Sequence, residues 1–95
     1  MFGLMMDDQL TITTLMHHAK TIYPDSTITA ITHDHERFKY TFKDCFDRVG
    51  QLANALQKLG AKQGDMLATL AWNDHRHMEV YYAACCSGSV CHTIN

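Results

Sequence analysis

The chain has 95 residues, 46% of them hydrophobic and 19% charged, with a formal charge of -2. That is room for one small domain with a modest core, so a large active site would have to be shared with other polypeptide. The near-neutral balance gives no broad electrostatic attraction to nucleic acid or anionic membrane, and no stretch approaches the roughly 18 apolar residues that span a bilayer.

The opening MFGLMMDD is apolar but lacks a basic lead, and Asp7 and Asp8 end it too early for a secretory core. With neither export signal nor anchor in view, the expected location is the cytoplasm, where the four cysteines stay free thiols. Residues 1–10, with Met5, Met6 and Leu10 beside Asp7 and Asp8, form a candidate arm for docking on another subunit and so for a homodimer. The plain alternative is a frayed terminus.

Ile12, Leu15, Met16, Ala19, Ile22 and Tyr23 recur at helical steps, which predicts a helix capped by Thr11 and stopped ahead of Pro24. His17, His18 and Lys20 then fall on its solvated side. Residues 27–32 and 37–41 are β-branched or aromatic runs separated by His33, Asp34, His35 and Glu36, which predicts a β-hairpin. Its His-x-His tip has the residues to catch a metal, but any hairpin needs a polar loop there.

Thr41-Phe42-Lys43-Asp44 has the form of a capping box, with Asp44 and Asp47 placed to meet the helix dipole. Phe42, Cys45, Phe46, Val49, Leu52, Ala53, Leu56 and Leu59 then keep one helical stripe until Gly60. Cys45 on that stripe reads as a core thiol.

Residues 66–71, MLATLA, are apolar without alternation and too few for a good helix, which predicts a strand covered on both faces. Trp72 is expected to anchor its carboxyl end. Asn73 is expected to cap a second helix with Asp74 in its first turn, Met78, Tyr81, Tyr82 and Cys85 on one face, and Val80, Ala83 and Ala84 beside them. Gly88 stops that helix, and residues 89–94 supply a parallel partner strand through a right-handed crossover. The expected fold class is therefore α/β: an N-terminal helix, a β-hairpin, a long amphipathic helix and one right-handed β-α-β unit.

The cluster ACCSGSVCHTIN invites a metal or redox reading, which geometry opposes. Cys91 and His92 are neighbours on a strand and point to opposite faces. Cys85 and Cys86 lie about 100 degrees apart around a helix, and no Cys-x-x-Cys pair exists. His75 and His77 are two positions apart, where a helical zinc pair needs four; His75 and Glu79 share a face and read as a local polar pair. No metal ligand is assigned.

Taken in order, MMDDQLTITTLMHHA, YTFKDCFDRVGQLANALQKLGAKQGD and MLATLAWNDHRHMEVYYAACCSGSVCHTIN resemble the start of AMP-forming fatty-acyl-CoA synthetases. These are adenylate-forming enzymes, a family that also includes acetyl-CoA synthetases, luciferases and peptide-synthetase adenylation domains. The resemblance covers essentially the whole chain, and WNDHRHMEVYYA and CHTIN point to the medium- or long-chain fatty-acid branch.

The resemblance implies that residues 1–95 are an incomplete N-terminal part of one AMP-binding domain. It implies an enzyme that uses ATP and magnesium to make an acyl-adenylate from a fatty acid and then forms a thioester with coenzyme A. It also implies that the phosphate-binding loop, the nucleotide-contacting motifs, the acyl tunnel and the C-terminal lysine lie downstream. Accordingly no catalytic residue, no cofactor-binding residue and no metal ligand is assigned within this chain, which is expected to be structural and inactive alone. Two other classes stay open: a free-standing interaction module with exposed sheet edges, and a Cys/His metal-binding protein.

Overall fold

A computed structural model describes residues 3–94 of the chain. Met1 and Phe2 of the candidate arm, and Asn95, lie outside the described residues. Helix α1 (Ile12–Ile22) begins where Thr11, in extended backbone, accepts the Thr14 N–H on its hydroxyl at 3.2 Å. It ends at Tyr23, ahead of Pro24, as the proline dictates. Met16 and Ala19 of its apolar stripe pack on the core, whereas Ile12, Leu15, Ile22 and Tyr23 stay exposed. Lys20 is not simply solvated: its ammonium reaches Asp47 at 2.6 Å.

Strands β1 (Thr27–Ile31) and β2 (Arg37–Thr41) pair antiparallel, from Thr27 opposite Thr41 to Ile31 opposite Arg37. The tip closes through Thr32 N–H to Glu36 O and His35 N–H to Thr32 O, both at 2.9 Å. Alternation turns Ile28, Ala30, Phe38 and Tyr40 inward.

Helix α2 (Phe42–Lys58) follows β2 without a loop. Such an abrupt start leaves amide donors to satisfy, and the turn after α1 supplies acceptors. Phe42 N–H donates to Ser26 O at 2.8 Å, Lys43 N–H to Pro24 O at 3.1 Å, and Asp44 N–H to the Thr41 hydroxyl at 3.1 Å. At the other end Gly60, at φ 103°, allows the paired bonds Gly60 N–H to Gln57 O and Ala61 N–H to Leu56 O. The helix thus stops one residue earlier than its stripe suggests, and Leu59 turns out to solvent. Asp47 also departs from expectation. It sits past the first turn and grips Lys20 and Lys43 instead of the dipole.

Strand β3 (Met66–Thr69), helix α3 (His75–Cys86) and strand β4 (Val90–Thr93) form the β-α-β unit, with β3 and β4 parallel from Met66 opposite Val90 to Thr69 opposite Thr93. Gly88, at φ 81°, turns the chain from α3 into β4. A side chain there would be strained by this backbone conformation, and its Cβ, 2.9 Å from the Gln63 side chain, would also make that side chain shift. Contrary to expectation, β3 is covered on one face only: Leu67 and Thr69 are half-buried, while Met66, Ala68 and Leu70 are open.

The cap of α3 is Asp74, not Asn73: its carboxylate accepts the N–H groups of Arg76 at 3.0 Å and His77 at 3.2 Å. The buried set includes Ala83 and Ala84, expected beside the apolar stripe, but is otherwise polar: His75, His77 and Glu79. Helix α3 has neighbours on several sides, so more than one face is covered. His75, Glu79 and Ala83 share the face toward the core, whereas Tyr81 and Cys85 with Tyr82 border an apolar cleft against Ile12 and Leu15 of α1.

The core lies where hairpin, α2 and α3 meet, and consists of Tyr40, Cys45, Phe46, Val49 and Ala83. Phe46 meets Tyr82 edge-to-face at 5.2 Å between ring centres. Cys45 is fully buried, as its place on the stripe predicts.

Candidate functional site

Two places concentrate polar or aromatic side chains: the core face of α3 and the carboxyl ends of β3 and β4. At the first, Glu79 is only 5% exposed yet carries a carboxylate. The Tyr40 hydroxyl donates to its Oε1 at 2.8 Å, Arg48 Nε donates to the same oxygen at 2.7 Å, and the guanidinium reaches Oε2 at 3.4 Å. One residue each from β2, α2 and α3 is thereby tied together. Burial pushes the Tyr40 phenol up, with help from Cys45 and Glu79 beside it. Burial likewise raises the Cys45 thiol, while its contact with Tyr40 pulls the other way. The hydrogen bond to Glu79 raises Arg48 further. This arrangement satisfies a buried charge, and four clefts that open on the surface are lined by other residues.

The neighbouring His77 is equally committed. His77 Nε2 lies 2.8 Å from the Thr69 hydroxyl, and its Nδ1 lies 3.4 Å from the Tyr81 hydroxyl. His75 stacks on Phe38 with ring centres 4.0 Å apart and does not pair with Glu79, which corrects the local-pair expectation. Its Nδ1 is buried without a partner. Helical spacing puts His75 and Glu79 on the stripe of Ala83, which hints at burial. Arg48, the partner of Glu79, is 31 positions away, and no local pattern announces it.

At the second place, Trp72 is 78% exposed, so it is not the packing anchor expected from the sequence. It separates two clefts: one of about 510 Å³ lined by Ile31, Thr32, His33, His35, Trp72 and Asn73, and one of about 470 Å³ lined by Leu70, Ala71, Trp72 and Ile94. The carboxyl ends of parallel strands are where open α/β sheets bind ligands, often with a phosphate on the next helix N-terminus. Here that terminus is occupied by the Asp74 carboxylate, which takes the amides a phosphate would need and repels its charge. This helix terminus therefore does not fit a phosphate group.

Among the described residues no group of three or more His, Cys, Asp or Glu side chains is placed to hold a metal ion. His33 Nε2 instead lies 3.0 Å from Asp34 on the exposed hairpin tip. All four cysteines are free. Cys91 is half-buried and His92 exposed, on opposite faces of β4 as alternation requires. Burial pushes the Cys91 thiol up, and Cys85 nearby adds to the shift.

Comparison with known proteins places most of the chain in one enzyme family. Residues 16–95 match the family of AMP-binding enzymes. The whole chain is 41% identical to a medium-chain-fatty-acid–CoA ligase of Ectopseudomonas oleovorans and 38% identical to a 3-methylmercaptopropionyl-CoA ligase of Ruegeria lacuscaerulensis. Over 96% of the chain it is 32% identical to a long-chain-fatty-acid–CoA ligase of Thermus thermophilus. It spans only 17%, 18% and 17% of the length of these three relatives.

Proposed function

Because the chain belongs to the AMP-binding enzyme family, we propose that it is a scaffold segment of a fatty-acid–CoA ligase. In this reading the complete enzyme joins a fatty acid to ATP as an acyl-adenylate with release of pyrophosphate, then moves the acyl group to coenzyme A with release of AMP. Magnesium and both nucleotides are held by residues outside these 95. The observation that carries the reading is similarity over all of the chain to a medium-chain ligase at 41% identity. The Asp74 carboxylate on the α3 terminus supports the absence of nucleotide contacts from this segment.

Grafting residues 1–95 in place of the matching segment of the Ectopseudomonas oleovorans ligase tests it. The chimera is expected to form medium-chain acyl-CoA, and the 95-residue chain alone to give no fatty-acid-dependent ATP–pyrophosphate exchange. A folded but inactive chimera, or exchange by the isolated chain, would overturn the reading. The segment functions in the cytoplasm in this account, consistent with four free thiols.

The exposed side chains of Met5, Met6 and Leu10, flanked by Asp7 and Asp8, support a further part of the proposal: an arm that docks on a second subunit. Deleting residues 1–10 from the chimera should then convert a dimer to a monomer in sedimentation. Unchanged sedimentation would leave the segment as a frayed terminus.

A further inference from the structure

Three of the four cysteines lie along α3, its turn and β4, and the polar network of the core uses none of them. Neighbours in sequence, Cys85 with Cys86 and Cys91 with His92, are poorly placed to act together, but the fold pairs Cys85 with Cys91. His77, Tyr81 and Cys85 follow one another at four-residue steps down one stripe of α3. The head of that stripe is fixed on the sheet, because His77 Nε2 lies 2.8 Å from the Thr69 hydroxyl. Thr69, Leu67 and Cys91, the register partner of Leu67, therefore share the side of α3. The connection is drawn in at its start: Ser89 N–H donates to Ala84 O at 3.0 Å and Val90 N–H to Asp65 O at 2.8 Å. Cys85 and Cys91 thus face one helix–sheet seam, and Cys85 is close enough to help raise the Cys91 thiol.

Both are half-buried, whereas Cys45 is enclosed. Cys85 also lines the cleft of about 290 Å³ between α1 and α3, which gives a small reagent a path to its sulfur. Cys86 is a poor partner for Cys85, since adjacent Cα atoms are about 3.8 Å apart and a relaxed disulfide needs roughly 4.4 Å or more. We propose that Cys85 and Cys91 are a peroxide-responsive dithiol that closes reversibly into a disulfide between the last turn of α3 and β4. Cys85 sulfur attacks the peroxide: an S–O bond forms, the O–O bond breaks, and the second oxygen leaves as water or alcohol with the Cys85 proton. Cys91 sulfur then attacks the Cys85 sulfenic acid: the S–S bond forms, the S–O bond breaks, and the oxygen leaves as water with the Cys91 proton. The two thiols together lose two hydrogens with their electrons, and one peroxide is reduced. Exchange with a small thiol reverses the closure, as for transient disulfides in reducing compartments. The proposal goes beyond the ligase reading and does not depend on it.

The test treats the reduced 95-residue chain with hydrogen peroxide, unfolds it in urea with iodoacetamide and counts alkylated thiols by mass. Four thiols should fall to two, with loss of two hydrogens and full return after dithiothreitol. Cys86→Ser should fall from three thiols to one, Cys85→Ser should keep three, and Cys91→Ser should leave a Cys85 sulfenic acid that dimedone captures. Four intact thiols in the parent chain, three in Cys86→Ser, or a disulfide still closing in Cys91→Ser would overturn the proposal. A second measurement needs no variant to fold. Oxidised in its native state the chain should give one disulfide species in reversed-phase chromatography, and oxidised in urea, where Cys45 is equally accessible, several. The same mixture from both would overturn it too.

Discussion

The junction of hairpin, α2 and α3 and the parallel sheet of β3 and β4 are built from the same modest chain, yet they finish differently. At the junction even a carboxylate is enclosed, because Tyr40 and Arg48 converge on Glu79. On the sheet, Leu70 is 79% exposed although nothing about it is polar. Burial therefore follows the availability of a covering element and not the hydrophobicity of the residue. A closed polar network stabilises one half internally, whereas the other half leaves apolar side chains exposed.

The sharpest way to break that contrast is at the centre of the closed half. Phe46 is 4% exposed, and Phe46→Ala should cost about 4 kcal/mol, a large share of the roughly 5–15 kcal/mol that holds a domain together. The midpoint of urea unfolding measures it. Next comes Glu79→Ala, expected to cost about 3 kcal/mol because it strands the Tyr40 hydroxyl and the Arg48 guanidinium. Glu79→Gln keeps an acceptor and should cost less; equal losses would mean that the carboxylate is not what joins the three elements.

A smaller effect distinguishes cap from neighbour. Asp74→Ala should cost about 1 kcal/mol and Asn73→Ala much less, in the same unfolding measurement; the reverse order would reinstate the cap expected from sequence. Smaller again is the pH dependence at Asp47. Hydrogen bonds from Lys20, then Lys43, hold its carboxyl below the ordinary range. A depressed folded value means that the contribution is present above the unfolded value of about 3.9 and is lost as pH falls through the folded one. Asp47→Asn should flatten that part of the stability profile. The smallest effect belongs to the open half: Leu70→Asp in the isolated chain should change stability by no more than about 0.5 kcal/mol, and a larger loss would show that the face is already covered.

Much of the fold is legible locally. Thr11, Thr41, Gly60 and Gly88 act where their chemistry places them, since caps and left-handed turns depend on backbone within a few residues. The hairpin is legible for the same reason, and so are the α2 stripe and its buried Cys45. The one-residue shift from Asn73 to Asp74 marks the limit of such reading, because both side chains are good caps and only the path of the chain selects between them. Trp72 and the exposed face of β3 depart from expectation for a different reason: an apolar run shows that cover is wanted, not that a neighbour within these residues provides it.

Residue order is enough to locate the helices and strands, to join the last two strands through a helix and, by its ordered resemblance, to indicate the family. These depend on local backbone chemistry and on residue order. Tertiary structure alone decided that Glu79 is enclosed by Tyr40 and Arg48, that His75 stacks on Phe38, that Asp47 binds lysines from two helices, and that one face of the parallel sheet is bare. Each of these turns on groups brought together from different elements, and the cost or benefit of burying a charge, a ring or a leucine exists only once those neighbours are in place.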